Sequence, residues 1–507
     1  MMPRNVANTV FQIATGIASL LLILLVGCTK PATTTTTAAN DRKDKPNVVF
    51  FLVDDLGWTD IGAFGSRSDG PSFYETPNVD ALTAKGMKFT NAYAACPVCS
   101  PTRASIMSGK YPARMNTTDW FGAPQPTTVS KHWTKGKPLL PAEYLENLPL
   151  AETTLAEAFK SNGYGTFFAG KWHLGESDEF WPEHQGFDVN KGGWTVGSPR
   201  GGYFAPYDNP RLTSGPDGEH LPDRLARETV AYITENKDKP FLAYLSFYSV
   251  HTPLQAPKDL IEKYEAKKKK LGLDDQWGQE GDNKARLVQC LPVYAAMVES
   301  MDKAVGKVLD ALKANGLDKN TIVVFMSDNG GLATAEGHPT SNLPLRAGKG
   351  WLYEGGIREP MVIHWPGVTK AGSITDQEMI STDFYPTLLD MAGLPALPKQ
   401  HVDGVSLVPA LKGKKMNRGP IFWHYPHYGN QGGSPGSAVR YGDWKLIEWF
   451  EPGRGLELYD LKTDIGEQNN LADKNPGKTL QLHTILQNWR QDVGARLPSK
   501  NPMAAQK

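Results

Sequence analysis

Two apolar stretches of the sequence end in side chains that bind hard cations. Asp54 and Asp55 follow the run "PNVVFFLV", and Asp328 and Asn329 follow "NTIVVFMS". Calcium and magnesium prefer such oxygen ligands, whereas zinc prefers nitrogen and sulfur. Each pair alone is equally compatible with a turn or a helix cap. The matched placement of the two pairs favours a site for calcium or magnesium.

The two apolar runs are typical of buried strands in a parallel sheet. A third run, "KPFLAYLSFYSVHTP", predicts a strand that ends near His251, and "AAMVESMDKAVGKVLDALKANG" predicts one of the helices between the strands. The fold class is therefore α/β, with a large domain whose mixed, mostly parallel sheet is sandwiched by helices. Because ligands bind at the carboxyl ends of strands in such sheets, we expect the three polar ends to converge.

The pattern changes after about residue 400. The segments "PIFWHYP", "SAVRYGDWKLIEW" and "LELYDLKTD" alternate and are separated by Gly and Pro, which predicts short antiparallel strands, and "KTLQLHTILQNWRQDV" predicts a final helix. We therefore divide residues 46–507 into a large domain, 46–400, and a smaller C-terminal subdomain, 401–507.

The N-terminus predicts export. Arg4 precedes the apolar run "IASLLLILLVG", which ends at Cys28, and "LVGC" resembles a bacterial lipobox, whose cysteine receives lipid. On this interpretation 1–27 is a lipoprotein signal peptide and the Thr-rich segment 28–45 is a tether with little to bury. An uncleaved membrane anchor is the alternative, although the run is short for a span. We expect a lipoprotein of the periplasm or outer membrane, held to the membrane only by its lipid.

The charge balance argues against a nucleic-acid partner. Lys and Arg total 54, and Asp and Glu also total 54, so no global field attracts polyanions. The cysteines leave a question open, because Cys96, Cys99 and Cys290 are an odd number once Cys28 carries lipid. "CPVC" is not followed by a thioredoxin-like pattern, and a disulfide between Cys96 and Cys290 is an open alternative.

One stretch carries a family signature. "CSPTR", Cys99 to Arg103, followed by "SGKYPAR", resembles the signature of the type I, formylglycine-dependent sulfatases of the alkaline phosphatase superfamily. The resemblance covers nearly the whole mature chain, through the blocks "VVFFLVDDLG", "NGYGTFFAGKWHLG", "VHTP", "MSDNGG", "GKGWLYEGGIREP", "ELYDL" and "NNLAD". Five residues alone would be a weak match, but these blocks in family order are specific. The resemblance makes 46–400 the sulfatase catalytic domain.

The resemblance implies a modified nucleophile and one calcium ion, with magnesium the lesser alternative. A formylglycine-generating or an anaerobic sulfatase-maturating enzyme would oxidise Cys99 to formylglycine, whose hydrate has two hydroxyl groups. One hydroxyl would bind the metal, so that residue 99 joins the ligands Asp54, Asp55, Asp328 and Asn329. The other would attack sulfur, and the re-forming aldehyde would then expel sulfate.

The resemblance also implies the roles of five further side chains. Arg103, four residues after Cys99 and on the same face if a helix begins here, would neutralise the diol and the metal-bound oxygens. Lys171 and His173 would contact the diol and the sulfate. His251 would protonate the leaving oxygen, and Lys349 would hold sulfate oxygens. Arg358 is expected to be structural.

The sequence gives weaker evidence about the substrate than about the reaction. We expect His338, Arg346 and Trp172 to be candidates for sugar contacts, and a packing or surface role is an equal alternative for each. The same holds for a further set of aromatic and basic residues: Trp194, Arg200, His424, His427 and Arg440.

The expected function is a sulfuric ester hydrolase that acts on a sulfated polysaccharide or its oligosaccharides. Small aryl sulfates are an alternative substrate. A phosphatase or phosphodiesterase of the same superfamily is disfavoured by the oxygen-only ligand set and by "CSPTR". A glycan-binding protein on a degenerate scaffold would have lost catalytic residues of the family, and all of them are present.

Overall fold

The structure is a computed structural model that describes residues 45–65 and 72–504. The predicted signal peptide, Cys28 and all of the tether except Lys45 lie outside the described residues. The strands are β1 Asn47–Val53, β2 Met87–Phe89, β3 Ala92–Tyr93, β4 Leu139–Leu140, β5 Gly165–Gly170, β6 Val189–Lys191, β7 Phe241–Ser246, β8 Trp277–Glu280, β9 Asn283–Arg286, β10 Thr321–Ser327, β11 Met361–His364, β12 Ser373–Thr375, β13 Met379–Ile380, β14 Ile421–Tyr425, β15 Gly436–Tyr441, β16 Trp444–Trp449, β17 Leu456–Asp460 and β18 Ser499–Lys500.

The helices lie between these strands. They are α1 Pro77–Lys85, α2 Cys99–Ser108, α3 Pro112–Met115, α4 Leu155–Lys160, α5 Leu221–Glu235, α6 Lys258–Leu271, α7 Pro292–Ala314, α8 Glu354–Ile357, α9 Phe384–Met391, α10 Val408–Leu411 and α11 Pro476–Asp492. Within the part of the chain that the structure describes, none of them combines the length and apolar character needed to cross a bilayer.

One large sheet organises the chain, in the strand order β12-β2-β11-β10-β1-β7-β5-β6. Neighbouring strands run parallel except at β11, which pairs antiparallel with both β10 and β2. The predicted mixed, mostly parallel sheet is confirmed.

Alternation along β1 shows how the sheet is sandwiched. Val49, Phe51 and Val53 pack into one core with residues of α1, α5, α6 and α7. Val48, Phe50 and Leu52 pack into a second core, on the opposite face, with residues of α2, α4 and α9. Successive strand residues point to opposite faces, so a strand that is apolar throughout must be covered on both sides.

The C-terminal part contains the predicted antiparallel strands and helix. β14, β15, β16 and β17 form an antiparallel sheet in that order, and α11 packs against it. A third core combines residues of this sheet, such as Trp423 and Leu446, with Trp351 and Ile357 from the preceding part. The boundary at 400/401 stays a prediction.

Two elements near the site were not predicted. The strand β5 is bounded by two glycines and holds only four residues between them, which is a weak signal in the sequence. Its last residue, Gly170, has a φ of +103°, and a Cβ there would lie 1.8 Å from the Ser246 carbonyl oxygen. Glycine is required at this point because β5 and β7 approach so closely. The hairpin of β8 and β9 was also missed.

Candidate active site

Four adjacent parallel strands end at the same edge of the sheet and bring the predicted residues together. In the order β10, β1, β7 and β5, Asp328 and Asn329 follow β10, Asp54 and Asp55 follow β1, and Lys171 follows β5. His251 lies in the loop after β7, where Val250 donates its N–H to the Asp54 carbonyl oxygen at 2.7 Å. The predicted convergence of the polar strand ends is confirmed.

Three of these residues form a buried acidic cluster. One carboxylate oxygen from each of Asp54, Asp55 and Asp328 lies within 4.8 Å of the others. Asn329 completes the set, because its Nδ2 donates to Asp55 Oδ1 at 2.8 Å, which leaves the amide oxygen free. Asp54 Oδ1 and Asn329 Oδ1 are buried and have no hydrogen-bond partner among the described residues. Unpaired buried acceptors are costly, so this donor set fits a hard divalent cation.

Cationic side chains offset part of the negative charge. Lys171 Nζ lies 2.7 Å from Asp54 Oδ2, and Lys349 Nζ lies 2.8 Å from Asp55 Oδ1. Burial would raise the pKa of Asp55, but Lys349, His251 and Lys171 hold it below its usual value. At Asp54 burial prevails and raises the pKa well above the usual value, despite Lys171. The cationic side chains therefore do not offset all of the negative charge of the cluster, so a bound cation would stabilise it further.

Helix α2 begins at Cys99 and places that residue over the cluster. The whole helix is buried, and Gly109, with a φ of +69°, ends it. Cys99 Sγ lies 3.5 Å from His173 Nδ1. Burial raises the pKa of the Cys99 thiol, although Lys171 and Lys349 oppose the shift. As a thiol, residue 99 is a poor nucleophile here, because the thiolate is the reactive form.

Arg103 lies one helical turn after Cys99, as the spacing predicted. Its Nε donates to Asp328 Oδ2 at 2.8 Å. Its Nη1 donates to the Lys171 carbonyl oxygen at 2.8 Å and to Ser246 Oγ at 2.6 Å. The guanidinium thus joins α2 to the carboxyl ends of β10, β5 and β7. Ser246 was not predicted as a site residue, because the predicted strand was expected to end near His251, whereas β7 ends at Ser246.

The two histidines are neutral in this arrangement. Burial, together with Lys171 and Arg103, lowers the pKa of His173 well below its usual value. Burial and Lys349 lower the pKa of His251 to about 4. His251 Nδ1 lies 2.7 Å from the Thr252 carbonyl oxygen, which can only accept, so this nitrogen carries the proton. Its Nε2 is then free of hydrogen and lies 3.7 Å from Asp55 Oδ2.

An open cleft of about 490 Å³ gives access to these groups. Cys99, His173, His251 and Lys349 line it, whereas the acidic cluster and Arg103 lie beneath. Its other lining residues come from four loops: Trp120, Phe121, Thr195, Val196, Gly197, Ser198, Arg200, Glu336, Asn430 and Gln431. Of these, Arg200 was named as a candidate from the sequence. Two Gly-rich stretches of the sequence, "NKGGWTVGSPRGGY" and "YGNQGGSPGS", are typical of pocket-rim loops, and they contain Arg200 and six others: Thr195, Val196, Gly197, Ser198, Asn430 and Gln431. Trp120, Phe121 and Glu336 carry no such signal.

The structure corrects the predicted sugar contacts. Trp172 is only 1% exposed, packs in the core against Phe168 and Phe187 and donates from Nε1 to the Phe180 carbonyl oxygen at 2.8 Å, so its predicted contact with a substrate is wrong. Arg346 does not line the cleft, because Glu280 holds its guanidinium at 2.8 Å from two oxygens. His338 does not line it either, since its ring packs edge-on against Trp277, 5.5 Å away.

The remaining candidates for sugar contacts also differ in whether they line the cleft. Arg200 lines the cleft and lies over the Trp194 ring at 5.4 Å. His424, His427 and Arg440 are buried and do not line the cleft. Arg358 donates to the Thr90 carbonyl oxygen at 2.8 Å and to Asn91 Oδ1 at 2.6 Å, which agrees with a structural role.

The structure also shows whether Cys96 and Cys290 form a disulfide. Cys96, Cys99 and Cys290 are all buried and unpaired. Cys96 contacts the Thr118 carbonyl oxygen at 3.9 Å, whereas Cys290 contacts Asp275 Oδ1 at 3.2 Å. A disulfide between Cys96 and Cys290 is therefore not formed.

Comparisons with known proteins agree with the fold. The family model "Sulfatase" matches residues 46–394, and the model "N-sulphoglucosamine sulphohydrolase, C-terminal" matches residues 347–492. A protein named sulfatase from Formosa agariphila is 33% identical, with 89% of each chain covered. The N-acetylgalactosamine-6-sulfatase of Canis lupus familiaris is 32% identical, over 89% of this chain and 81% of its own.

A solved structure is similar over nearly the same length. The crystal structure of Ps i-CgsB in complex with k-i-k-neocarrahexaose superposes with a TM-score of 0.70 at 28% identity, and 91% of this chain and 94% of that one are covered. The family matches and this similar fold thus place the chain in the alkaline phosphatase superfamily. Within it, the chain belongs to the sulfatase family and is a sulfatase enzyme.

Replacement of Arg103 by lysine tests whether its fork of hydrogen bonds supports the site. Arg103→Lys leaves one ammonium group where the guanidinium bonded three partners, so we expect the free energy of unfolding to fall by about 3 kcal/mol. Urea denaturation followed by tryptophan fluorescence measures this loss.

Arg114→Lys is the matched control for that substitution. Arg114 binds Asp403 through two nitrogens but is 27% exposed, so its replacement should cost about 1 kcal/mol or less. Equal losses in the two variants would contradict the assigned role of Arg103.

Proposed function

We propose that this sulfatase hydrolyses a sulfate ester of a carbohydrate, with residue 99 oxidised to formylglycine and a calcium ion bound beside it. The observation that carries the proposal is the position of Cys99. It begins α2 at the floor of an open cleft, 3.5 Å from His173, and the acidic cluster lies beneath it.

Support for a carbohydrate comes from the names of similar proteins. One relative is an N-acetylgalactosamine-6-sulfatase, and one similar structure was solved with k-i-k-neocarrahexaose. The cleft itself is open and lined by aromatic, amide and hydroxyl side chains, which are the groups that bind sugars: Trp120, Phe121, Thr195, Ser198, Asn430 and Gln431. We extend the substrate class of these proteins to this chain.

The proposed oxidation of Cys99 must precede folding. All ten residues of α2 are buried, so neither the thiol nor Pro101 and Arg103 can be presented to another enzyme in the folded chain. We propose that a formylglycine-generating or an anaerobic sulfatase-maturating enzyme acts on the unfolded segment and supplies the oxidant. When hydrated, formylglycine supplies one hydroxyl as nucleophile and a second through which sulfate is released.

The side chains around residue 99 would hold the sulfate group and orient the attack. Lys349 lines the cleft and Lys171 lies below it, so their charges favour an anionic sulfate at this point. Neutral His173, fixed by its contact with the Phe121 carbonyl oxygen at 3.2 Å, would hold a hydroxyl of residue 99 in one orientation.

His251 would deliver the proton that the leaving sugar oxygen requires. Its pKa of about 4 keeps the ring neutral in the free enzyme. A bound sulfate brings negative charge next to the ring, and such a charge favours the protonated form. The proton at Nε2 then passes to the leaving oxygen as the bond to sulfur breaks.

Asp54, Asp55, Asp328 and Asn329 would hold the calcium ion, and magnesium is the lesser alternative. The ion would supply positive charge that neutralises the carboxylates and the bound sulfate. Support comes from the all-oxygen donor set and from two buried oxygens, Asp54 Oδ1 and Asn329 Oδ1, that have no hydrogen-bond partner among the described residues.

Formylglycine formation predicts a specific mass and a specific loss of activity. In protein made with a maturation enzyme, the tryptic peptide Phe89–Arg103 should lack one sulfur and two hydrogens and gain one oxygen. Cys99→Ala should lower sulfate release from sulfated oligosaccharides by about a thousandfold or more, because the nucleophile is gone. Ion chromatography of sulfate measures the rate.

Cys96→Ala is the control within the same peptide. Cys96 is a buried free thiol outside the cleft, so this variant should keep its sulfate release and its mass change. An active preparation in which residue 99 is still a thiol would exclude the proposed nucleophile.

Calcium binding predicts a metal-dependent stability. Calcium chloride added to chelator-treated protein should raise the melting temperature, increasingly with concentration, because a ligand of the folded state stabilises it by about 2.7 kcal/mol at a hundredfold excess over Kd. Magnesium chloride should have a smaller effect. Differential scanning fluorimetry measures both.

Asp328→Asn should lose most of this response, since it removes one carboxylate of the cluster. Asp403→Asn is the control, because Asp403 pairs with Arg114 outside the cluster and its loss destabilises the protein without removing a ligand. Equal calcium responses in the two variants would exclude the proposed site.

We also propose that the protein is exported and anchored by lipid at Cys28, in the periplasm or outer membrane. The support is the sequence "LVGC" after an apolar run. Cys28→Ala expressed in a bacterium with lipoprotein processing should fail to incorporate radiolabelled palmitate and should leave the membrane fraction. Labelling of the variant at the wild-type level would refute this assignment.

A further inference from the structure

The cleft contains a carboxylate that has no role in the proposed chemistry. Glu336 lines the cleft together with His251 and Lys349, and it is the only carboxylate among the described residues that line it. The proposed steps need groups that hold an anionic sulfate or move a proton to the leaving oxygen. The charge of Glu336 raises the pKa of Lys349 and opposes the lowered pKa of His251, and its carboxylate also faces the cleft, where another part of the substrate would lie.

The hydrogen bonds of Glu336 distinguish its two oxygens. Oε1 accepts from Asn430 Nδ2 at 2.9 Å and from Gln431 Nε2 at 2.7 Å. Oε2 has a single long contact, to Thr252 Oγ1 at 3.5 Å. One oxygen therefore fixes the side chain, and the other retains its capacity to accept a hydrogen bond.

The anchor of Glu336 is itself rigid. Gln431 is 3% exposed. Its backbone carbonyl oxygen accepts hydrogen bonds from Asn283 Nδ2 at 2.7 Å, Thr334 Oγ1 at 2.9 Å and Trp351 Nε1 at 3.0 Å. The backbone of Glu336 is also constrained, with a φ of +53° that a residue with a side chain rarely adopts. Such strain is retained where the surrounding structure requires one position of the side chain.

Glu336 lies on the side of the cleft from which the sugar would leave. Thr252, its weak partner, directly follows His251, the proposed proton donor to the sugar oxygen. A sugar whose sulfate contacts Lys349 and whose leaving oxygen contacts His251 would extend from the sulfate site toward solvent. Glu336, which is half-buried, and Asn430, which is exposed, line the same cleft.

We propose that Glu336 selects the sulfated sugar. Its Oε2 accepts a hydrogen bond from a free hydroxyl group of that sugar, and its charge disfavours a sugar that carries a second anionic group, a sulfate ester or a carboxylate, at that position. The substrate class is then a sugar with one sulfate ester and a free hydroxyl beside it. This inference rests on the proposed function, because it concerns the sugar that the sulfatase releases.

The test compares two substrates in two variants. The substrates are disaccharides of the same sugar, one with a single sulfate ester and one with a second sulfate on the same ring. In Glu336→Gln the amide oxygen can still accept from Asn430 and Gln431, so the fold is kept and the charge is lost. We expect the ratio of kcat/KM for the monosulfated over the disulfated substrate to fall by about tenfold or more.

Glu451→Gln is the matched control. Glu451 accepts hydrogen bonds from Tyr428 Oη at 3.2 Å and from Ser434 Oγ at 3.1 Å. These two partners are close in sequence to Asn430 and Gln431, but Glu451 does not line the cleft. Its substitution removes the same charge and should leave the substrate ratio unchanged. If Glu336→Gln is unstable in thermal denaturation, the same ratio is measured with Glu336→Ala.

The outcomes separate the inference from the function on which it rests. A ratio that falls in Glu336→Gln and not in Glu451→Gln supports the selection of the sugar by Glu336. Sulfate release with an unchanged ratio in Glu336→Gln overturns this inference and leaves the proposed function standing. If the wild-type enzyme with formylglycine at residue 99 releases sulfate from no carbohydrate, the proposed function fails first.

Discussion

The confinement of three carboxylates to one buried edge of the sheet is the constraint on which the site depends. One oxygen from each of Asp54, Asp55 and Asp328 lies within 4.8 Å of the others, out of contact with solvent. Like charges at this distance in a medium of low dielectric repel strongly. Cationic side chains must therefore lie next to these carboxylates. Arg103 of α2, Lys171 after β5 and Lys349 in the loop before α8 form these ion pairs.

The C-terminal part supports this edge from a distance. Lys445 of β16 is fully buried and bonds Glu354 Oε1 at 3.0 Å, and Glu354 begins α8. Within the same helix the Gly356 carbonyl oxygen accepts from Gly330 at 3.1 Å, immediately after Asn329. Asn430 and Gln431, also from this part, line the cleft. The sulfate-facing groups and the sugar-facing groups thus depend on packing between both parts of the chain.

Residues that follow strong strand signals or lie in the family blocks were predictable, and the other cleft residues on loops were not. The runs before Asp54 and Asp328 are apolar throughout, so their ends could be placed at one edge from the rule for parallel sheets. The helical spacing of Cys99 and Arg103 was predictable for a similar reason, because four residues make about one turn. The predicted substrate contact of Trp172 was wrong because the neighbouring residues in the sequence do not show whether an aromatic side chain faces the core or a cleft. Glu336 has no local signal, since only Asn430 and Gln431, far along the chain, orient it.

The amino-acid sequence was sufficient to identify the class of chemistry, from oxygen ligands at two strand ends, the cysteine of "CSPTR", and lysines and histidines in the family blocks. These features are local, because side-chain type and strand or helix period are written in neighbouring residues. Tertiary structure alone decided which candidates reach the cleft, that Cys96 and Cys290 stay apart, and that Arg346 is held by Glu280. The physical reason is that burial and ion pairing are set by residues distant in sequence, whose approach depends on the packing of the whole chain.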